Sequence, residues 1–232
     1  MDFPIDNHQS SIVNPHTRLA VIDVGTNTVR LLVAEPDGRG AYGMLLTAQE
    51  ITRLGQGLLA ARELQPEPIQ RTVRVLRRYR DLAEAQGAAT ILAVGTSALR
   101  EAKNRNVFLA AARDEAGVEV AVIPGEEEAR LGLLGVRAGL PDAPARLAMM
   151  DIGGGSTELL VADGETILAA VSTGLGVVKL TERCLHADPP LPDDLETVRR
   201  TATERLDRAR TMELRGALPV STFVGTAGTV TS

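Results

Sequence analysis

A chain of 232 residues with 44% hydrophobic and 24% charged side chains holds enough apolar material for one large core or two modest ones. Its net charge of −5 and its few aromatics (two Tyr, three Phe, no Trp) argue against a broad nucleic-acid surface or a base-stacking platform, but not against a polyanion held locally by a few loops. A single cysteine, Cys184, excludes an internal disulfide; no Cys/His cluster has zinc spacing, and no apolar run is long enough to span a membrane.

Residues 1–17 are polar, carry Pro4 and Pro15, and read as a flexible N-terminal tail without a signal-peptide core, so the cytoplasm is the expected compartment. From Arg18 an apolar strand runs into Asp23-Val-Gly-Thr-Asn-Thr28, turns, and leaves as a second strand over 29–34. The glycine is expected to supply a positive φ in this turn, which Asn27 also tolerates. A third strand follows over 44–51, then a helix over 67–86, opened by Pro66 and Pro68 and stopped by Gly87. Strands over 89–94 and 118–123 flank a helix over 107–115, and Pro124-Gly125 opens a helix over 126–136 that joins two halves. In the second half the pattern predicts strands ending at Asp151 and over 159–162, 167–172 and 220–224, with helices over 176–185 and 192–215.

The halves repeat each other. Residues 18–34 align without a gap on residues 146–162, with nine of seventeen positions identical, Asp23/Asp151 and Gly25/Gly153 among them. Val94-Gly-Thr-Ser-Ala98 matches Val224-Gly-Thr-Ala-Gly228 at nearly the same offset. Three strands, a helix and further β/α alternation, made twice, predict two α/β lobes around a cleft: a first lobe over 18–124, an interlobe helix and connection over 125–145, and a second lobe over 146–232.

Two Asp-x-Gly turns facing one cleft suit a phosphate chain, because small residues expose backbone N–H groups and hydroxyls add donors. The candidate phosphate contacts are Thr26, Asn27 and Thr28 in one turn, and Gly153, Gly154, Gly155, Ser156 and Thr157 in the other. Asp23 and Asp151 end their strands where a carboxylate would meet a metal, and Glu158 lies nearby on the outgoing strand. Bonding within its own loop is the competing account, stronger for Asp23 than for Asp151. Glu126, Glu127 and Glu128 favour a helix start by charge alone, and one of them is placed to act as a base; residue chemistry does not choose among the three. Arg100 could grip two phosphate oxygens, or pair with Glu101 or Glu115 instead. Five arginines between 71 and 80 read as a solvated helix face in preference to a polyanion track.

Together, Asp23-Val-Gly-Thr-Asn-Thr28, Val94-Gly-Thr-Ser-Ala-Leu-Arg100, Pro124-Gly-Glu-Glu-Glu-Ala-Arg130, Asp151-Ile-Gly-Gly-Gly-Ser-Thr-Glu158 and Ser172-Thr-Gly-Leu-Gly176 resemble, in sequence and order, the exopolyphosphatase/guanosine pentaphosphate phosphatase family. The resemblance implies a duplicated actin-like ATPase (ribonuclease H-like) fold and Mg²⁺-dependent release of a terminal phosphate. It selects Glu128, the glutamate before Ala-Arg, as catalytic base. It makes Asp151 and Glu158 organisers of metal and water, and assigns phosphate to both turns and to Arg100. In that family the motif over 224–230 is followed by more structure, so the second lobe reads as incomplete. Inorganic polyphosphate is the first expected substrate and guanosine pentaphosphate the second, with no nucleic-acid or membrane partner and a homodimer compatible. A non-catalytic actin-like nucleotide-binding module is the reading from another class.

Overall fold

The computed structural model describes residues 17–38 and 41–228, so all of the expected tail but Thr17 lies outside the described residues. The first sheet holds β1 (Leu19–Val24), β2 (Thr28–Pro36), β3 (Tyr42–Ile51), β4 (Thr90–Gly95) and β5 (Val120–Val122), in the order β3-β2-β1-β4-β5. Its first three strands are antiparallel, and β4 and β5 continue parallel to β1. The second sheet holds β6 (Arg146–Ile152), β7 (Thr157–Asp163), β8 (Thr166–Thr173) and β9 (Phe223–Thr226), in the order β8-β7-β6-β9 with the same orientations. The duplication read from residues 18–34 and 146–162 is therefore a duplication of structure.

Period-two patterning builds the first core. Ala20, Ile22 and Val24 of β1 and Val29, Leu31 and Val33 of β2 are buried on one face. Onto it α2 (Pro66–Ala85) lays Ile69, Val73, Leu76, Tyr79 and Ala83, spaced three or four residues apart. Between β4 and β5 stand α3 (Ser97–Glu101) and α4 (Arg105–Ala116). The outer arginines of α2 are largely tied down: Arg77 and Arg80 donate to the last carbonyls of α4, Glu115 and Ala116, and Arg78 pairs with Glu50.

The second core is arranged differently. α5 (Gly125–Gly139) leaves the last strand of the first sheet but packs Ala129, Leu133 and Val136 onto Leu147, Met149, Leu160 and Ala162 of the second. The opposite face of that sheet is covered from a π-helical turn (Ala209–Glu213) that continues α7 (Pro192–Arg208), with α6 (Val177–Cys184) lying between β8 and α7 in sequence. The face of the first sheet equivalent to the one under α5 has no such cover among the described residues: Val21, the counterpart of Met149, is 39% exposed and Met149 1%.

Three expectations change. Two one-turn helices, α1 (Leu58–Ala61) and α3, were not predicted; each is too short for a periodic pattern, and α1 is closed at both ends by left-handed residues, Gly57 and Arg62. The helix predicted over 192–215 widens into a π-helical turn after Arg208, where Thr211 Oγ1 donates back to the carbonyls of Asp207 and Arg208. The motif match of Val94 with Val224 slips in register: Val94 lies beside Asp23, whereas Thr226 lies beside Asp151. Among the described residues no helix is long and apolar enough to cross a membrane.

Leu133 is 1% exposed beneath α5. Leu133→Ala should cost about 2–5 kcal/mol, read as a lower denaturation midpoint for the second lobe, because the cavity cannot be refilled from a helix pinned at both ends.

Candidate active site

The two turns share one hydrogen-bonding plan. Gly25 N–H donates to Thr28 O at 3.1 Å, and Gly153 N–H donates to Ser156 O at 2.9 Å, 128 residues later in each case. Two carbonyls of each turn are bonded from behind. Thr26 O accepts from Gly55 N–H, and Asn27 O accepts from both Thr52 and Arg53. In the second turn Gly153 O accepts from Val177, and Gly154 O accepts from Val178 and Lys179. The N–H groups of Thr26, Asn27, Gly154 and Gly155 make no hydrogen bond among the described residues, which leaves four donors beside the cleft.

Glycine is needed here for closeness, not for handedness. None of Gly25, Gly153, Gly154 and Gly155 has a positive φ, contrary to the expectation for these turns. A Cβ on Gly155 would sit 2.5 Å from Thr26 Oγ1 and 2.6 Å from Ser97 Oγ, and one on Gly154 would sit 3.1 Å from Asn27 Cβ. The turns of the two lobes touch backbone to side chain. Two further bonds cross between the lobes, both from α6: Lys179 Nζ to Glu101 Oε1 at 2.6 Å, and Gly57 N–H to Glu182 Oε1 at 3.0 Å.

Between the turns lies a cleft of about 400 Å³. It is lined by Asp23, Thr26, Asn27, Thr28, Glu128, Asp151, Gly153, Gly154, Gly155 and Ser156 of the expected set. Cross-strand pairing explains the carboxylates: Asp151 stands opposite Glu158 on β7, and Glu158 opposite Ser172 on β8. α5 lies over this same face of the sheet, and its first turn brings Glu128 to the group. Glu128 Oε2 accepts from Arg100 at 2.6 Å, and Arg100 also donates to Ile123 O at 3.1 Å and approaches Glu158 at 3.9 Å. Glu158 is 2% exposed and accepts from Ser172 Oγ at 2.8 Å.

The three adjacent glutamates have three different surroundings. Glu126 is exposed. Glu127 is held by both arms of Arg130, at 2.7 and 2.8 Å, which keeps its carboxyl below the usual range. Burial pushes Glu128 up to about 7, with the nearby charge of Glu158 adding to the shift and Arg100 opposing it. Burial also raises Asp23, Asp151 and Glu158. Arg30 pulls Asp23 and Asp151 back, and the hydroxyls of Ser172 and Ser156 do the same for Glu158.

One buried and three half-buried carboxylates with two arginines as counter-charges form an oxygen-only donor set short of positive charge, which suits a hard cation. No three His, Cys, Asp or Glu side chains among the described residues are close enough to cage an ion by themselves. A cation here would be held by one or two carboxylates, with water and a ligand's own oxygens completing its shell.

Thr157 is not brought to the cleft. It is 4% exposed and its hydroxyl donates to Leu175 O at 2.7 Å, because β7 turns it into the body of the second lobe. The sequence reading missed Arg30, Gln49, Thr96, Ser97, Val177 and Gly228, all of which line the cleft. Arg30 was detectable: it follows Asp23 by seven residues as Glu158 follows Asp151, and it pairs with Asp23 across β1 and β2.

A sequence model of the Ppx/GppA phosphatase family matches residues 32–232. The chain is 42% identical over 225 residues to exopolyphosphatase 2 of Mycobacterium tuberculosis, covering 93% of this chain and 69% of that one. It is 36% identical over 171 residues to a guanosine-5'-triphosphate,3'-diphosphate pyrophosphatase of Photobacterium profundum, covering 73% of this chain and 34% of that one. Among solved structures, the Ppx/GppA enzyme of Aquifex aeolicus superposes with a TM-score of 0.72 at 33% identity, covering 93% of this chain and 69% of that one. The fold is the duplicated, actin-like one.

Two outcomes follow from this geometry. Gly155→Ala should fold yet hold the lobes apart, giving a larger radius of gyration in small-angle scattering; an unchanged radius would refute the close-approach account. Glu128 titrates near 4.5 when unfolded and about 7 when folded, so its stabilising effect is complete below about 4.5 and lost as pH rises through 7. The melting temperature should therefore be higher at pH 6 than at pH 8, and a divalent cation should recover the difference at pH 8.

Proposed function

The chain belongs to the Ppx/GppA phosphatase family, and we propose that it is an exopolyphosphatase that releases the terminal phosphate of inorganic polyphosphate with Mg²⁺. The observation that carries the proposal is Glu128: alone of three adjacent glutamates it is turned into the cleft, and burial holds it near neutrality beside the free amides of both turns.

In this reading the N–H groups of Thr26, Asn27, Gly154 and Gly155, with the hydroxyls of Thr28 and Ser156, hold the oxygens of the terminal phosphoryl groups. Glu128 accepts a proton from a water as its oxygen bonds to the terminal phosphorus; the anhydride P–O bond breaks, and the shortened chain leaves with the electron pair. Arg100 moves from Glu128 toward the phosphoryl oxygens as charge builds on them, which also frees the base. Asp151 and Glu158, with Asp23 close by, would hold Mg²⁺, whose charge neutralises phosphoryl oxygens. Ser172 and Ser156 orient Glu158 for that task. The same reading puts the protein in the cytoplasm and admits a homodimer.

The Photobacterium relative favours a second substrate, the 5'-phosphate end of guanosine pentaphosphate, which presents the same phosphoanhydride to the same groups. Phosphate release from the two substrates, assayed side by side, separates these readings. Tight nucleotide binding without phosphate release from either would instead indicate a non-catalytic module. For the mechanism, Glu128→Gln should lower kcat by about two to four orders of magnitude with little change in KM. Glu126→Gln and Glu127→Gln should stay close to the parent. Equal rates in all three would remove Glu128 from the mechanism.

A further inference from the structure

Behind the first turn lies a segment whose form the chemistry above leaves unexplained. Thr52 and Arg53 aim two consecutive N–H groups at one acceptor, Asn27 O, at 3.0 and 2.9 Å, and Gly55 N–H holds Thr26 O at 2.8 Å. Converging two successive amides on one carbonyl requires an unusual backbone, and Arg53 adopts a left-handed φ of 52° without being glycine. Such strain persists only where the surroundings hold it in place. The restraint comes from α2, outside the cleft. Arg71 Nε donates to Thr52 O at 2.6 Å and its NH2 arm reaches Gln56 Oε1 at 3.3 Å, so one guanidinium grips both ends of the segment. Its third arm is fixed by Glu67, one helical turn away, at 2.9 Å.

The second half repeats the device with other means. After β8, as after β3, the chain returns to its own turn and sets two consecutive N–H groups, Val178 and Lys179, on Gly154 O. There the first turn of α6 supplies the rigidity. The first lobe has no helix at that point, and Arg71 stands in its place.

We propose that Arg71 is a positioning residue for phosphate binding: through Thr52, Arg53 and Gly55 it fixes the carbonyls of Thr26 and Asn27 and thereby aims their N–H groups into the cleft. The proposal rests on the reading of that turn as a phosphate site. Replacing the fork with an amide frees the segment, lets Arg53 relax toward an ordinary conformation, and turns the Thr26 and Asn27 amides out of line with the ligand. Arg71→Lys keeps the charge and the pair with Glu67 but cannot grip two acceptors, so its effect should be intermediate. Arg74→Gln removes a positive charge from the same helix without touching the segment, and should be silent.

The test uses two readouts on the whole chain. Hydrogen exchange follows the amides of Arg53 and Gly55, and calorimetry measures affinity for inorganic tripolyphosphate with Mg²⁺ in a Glu128→Gln background, which prevents turnover and reports the competent fraction separately from affinity. Arg71→Gln should quicken exchange at Arg53 and Gly55 by at least about tenfold and weaken tripolyphosphate binding by about five- to tenfold, with Arg74→Gln unchanged in both. Unchanged exchange at Arg53 and Gly55 would overturn the proposal whether or not the chain binds tripolyphosphate. Faster exchange with unaltered affinity, while Thr28→Ala weakens binding, would also overturn it and leave the turn as the phosphate site. If the chain does not bind tripolyphosphate, or Thr28→Ala and Arg71→Gln both bind it like the parent, the phosphate reading of the turn fails and the proposal falls with it.

Discussion

Four carbonyls at the tips of the two turns, two in each, are bonded from behind, and this shapes the character of the space between the lobes. A tight turn exposes both halves of its peptide dipoles, and an anion is repelled by one half as much as it is attracted by the other. Here Thr26 O, Asn27 O, Gly153 O and Gly154 O face the interior of their own lobes, bonded to segments that follow the third strand of each sheet. What remains toward the cleft is the positive end of the peptide, delivered twice. The arrangement supplies partial positive charge without lysine or arginine, so a chain of net charge −5 can still offer an anion a favourable bed.

The carboxylates opposite that bed make sense only with it. Asp23, Asp151, Glu158 and Glu128 are each raised by burial, and Arg30 and Arg100 do not suffice to neutralise them. A site with amides on one side and under-compensated carboxylates on the other is short of a cation and of an anion together. A metal–phosphate pair answers both deficits at once. The bond between Arg100 and Glu128 fills part of each deficit meanwhile, joining a group suited to phosphate with a group suited to a proton.

The duplication carried most of the legible fold, because an ungapped match of strand, Asp-x-Gly turn and strand specifies pairing, orientation and the meeting of the turns together. Asp23, Asp151 and the glycines were visible for that reason, whereas Glu128 was singled out from its two neighbours by the family resemblance alone. Other features depended on contacts that a linear pattern does not encode. Glycine's role was misread, since a missing Cβ is demanded by the opposite lobe and not by local φ. Thr157 shares a motif with cleft residues, yet strand alternation turns its hydroxyl to Leu175. Arg30 escaped notice because its counterpart, Glu158, has the opposite charge, and identity was sought where position was the signal. That α5 would cross to the second sheet could not be read from its own periodicity, which fixes the width of an apolar face but not its partner.

The crossing of α5 also orders events in time. The buried residues of the first core fall between Ala20 and Val120, and those of the second-sheet clusters between Ala129 and Ala217. During vectorial synthesis the first core has all its strands and helices once Val122 has cleared the ribosome, before any residue of the second is required. α5 then emerges with its apolar stripe exposed and must wait for β6 and β7, the next strands made, to cover it. The wait is brief because the partner follows within a few tens of residues, a local contact of the kind that forms quickly. Glu128, at the head of that helix, meets Arg100 from the finished lobe and Glu158 from the growing one, so the reactive cluster is assembled last, by two bodies already shaped to receive it.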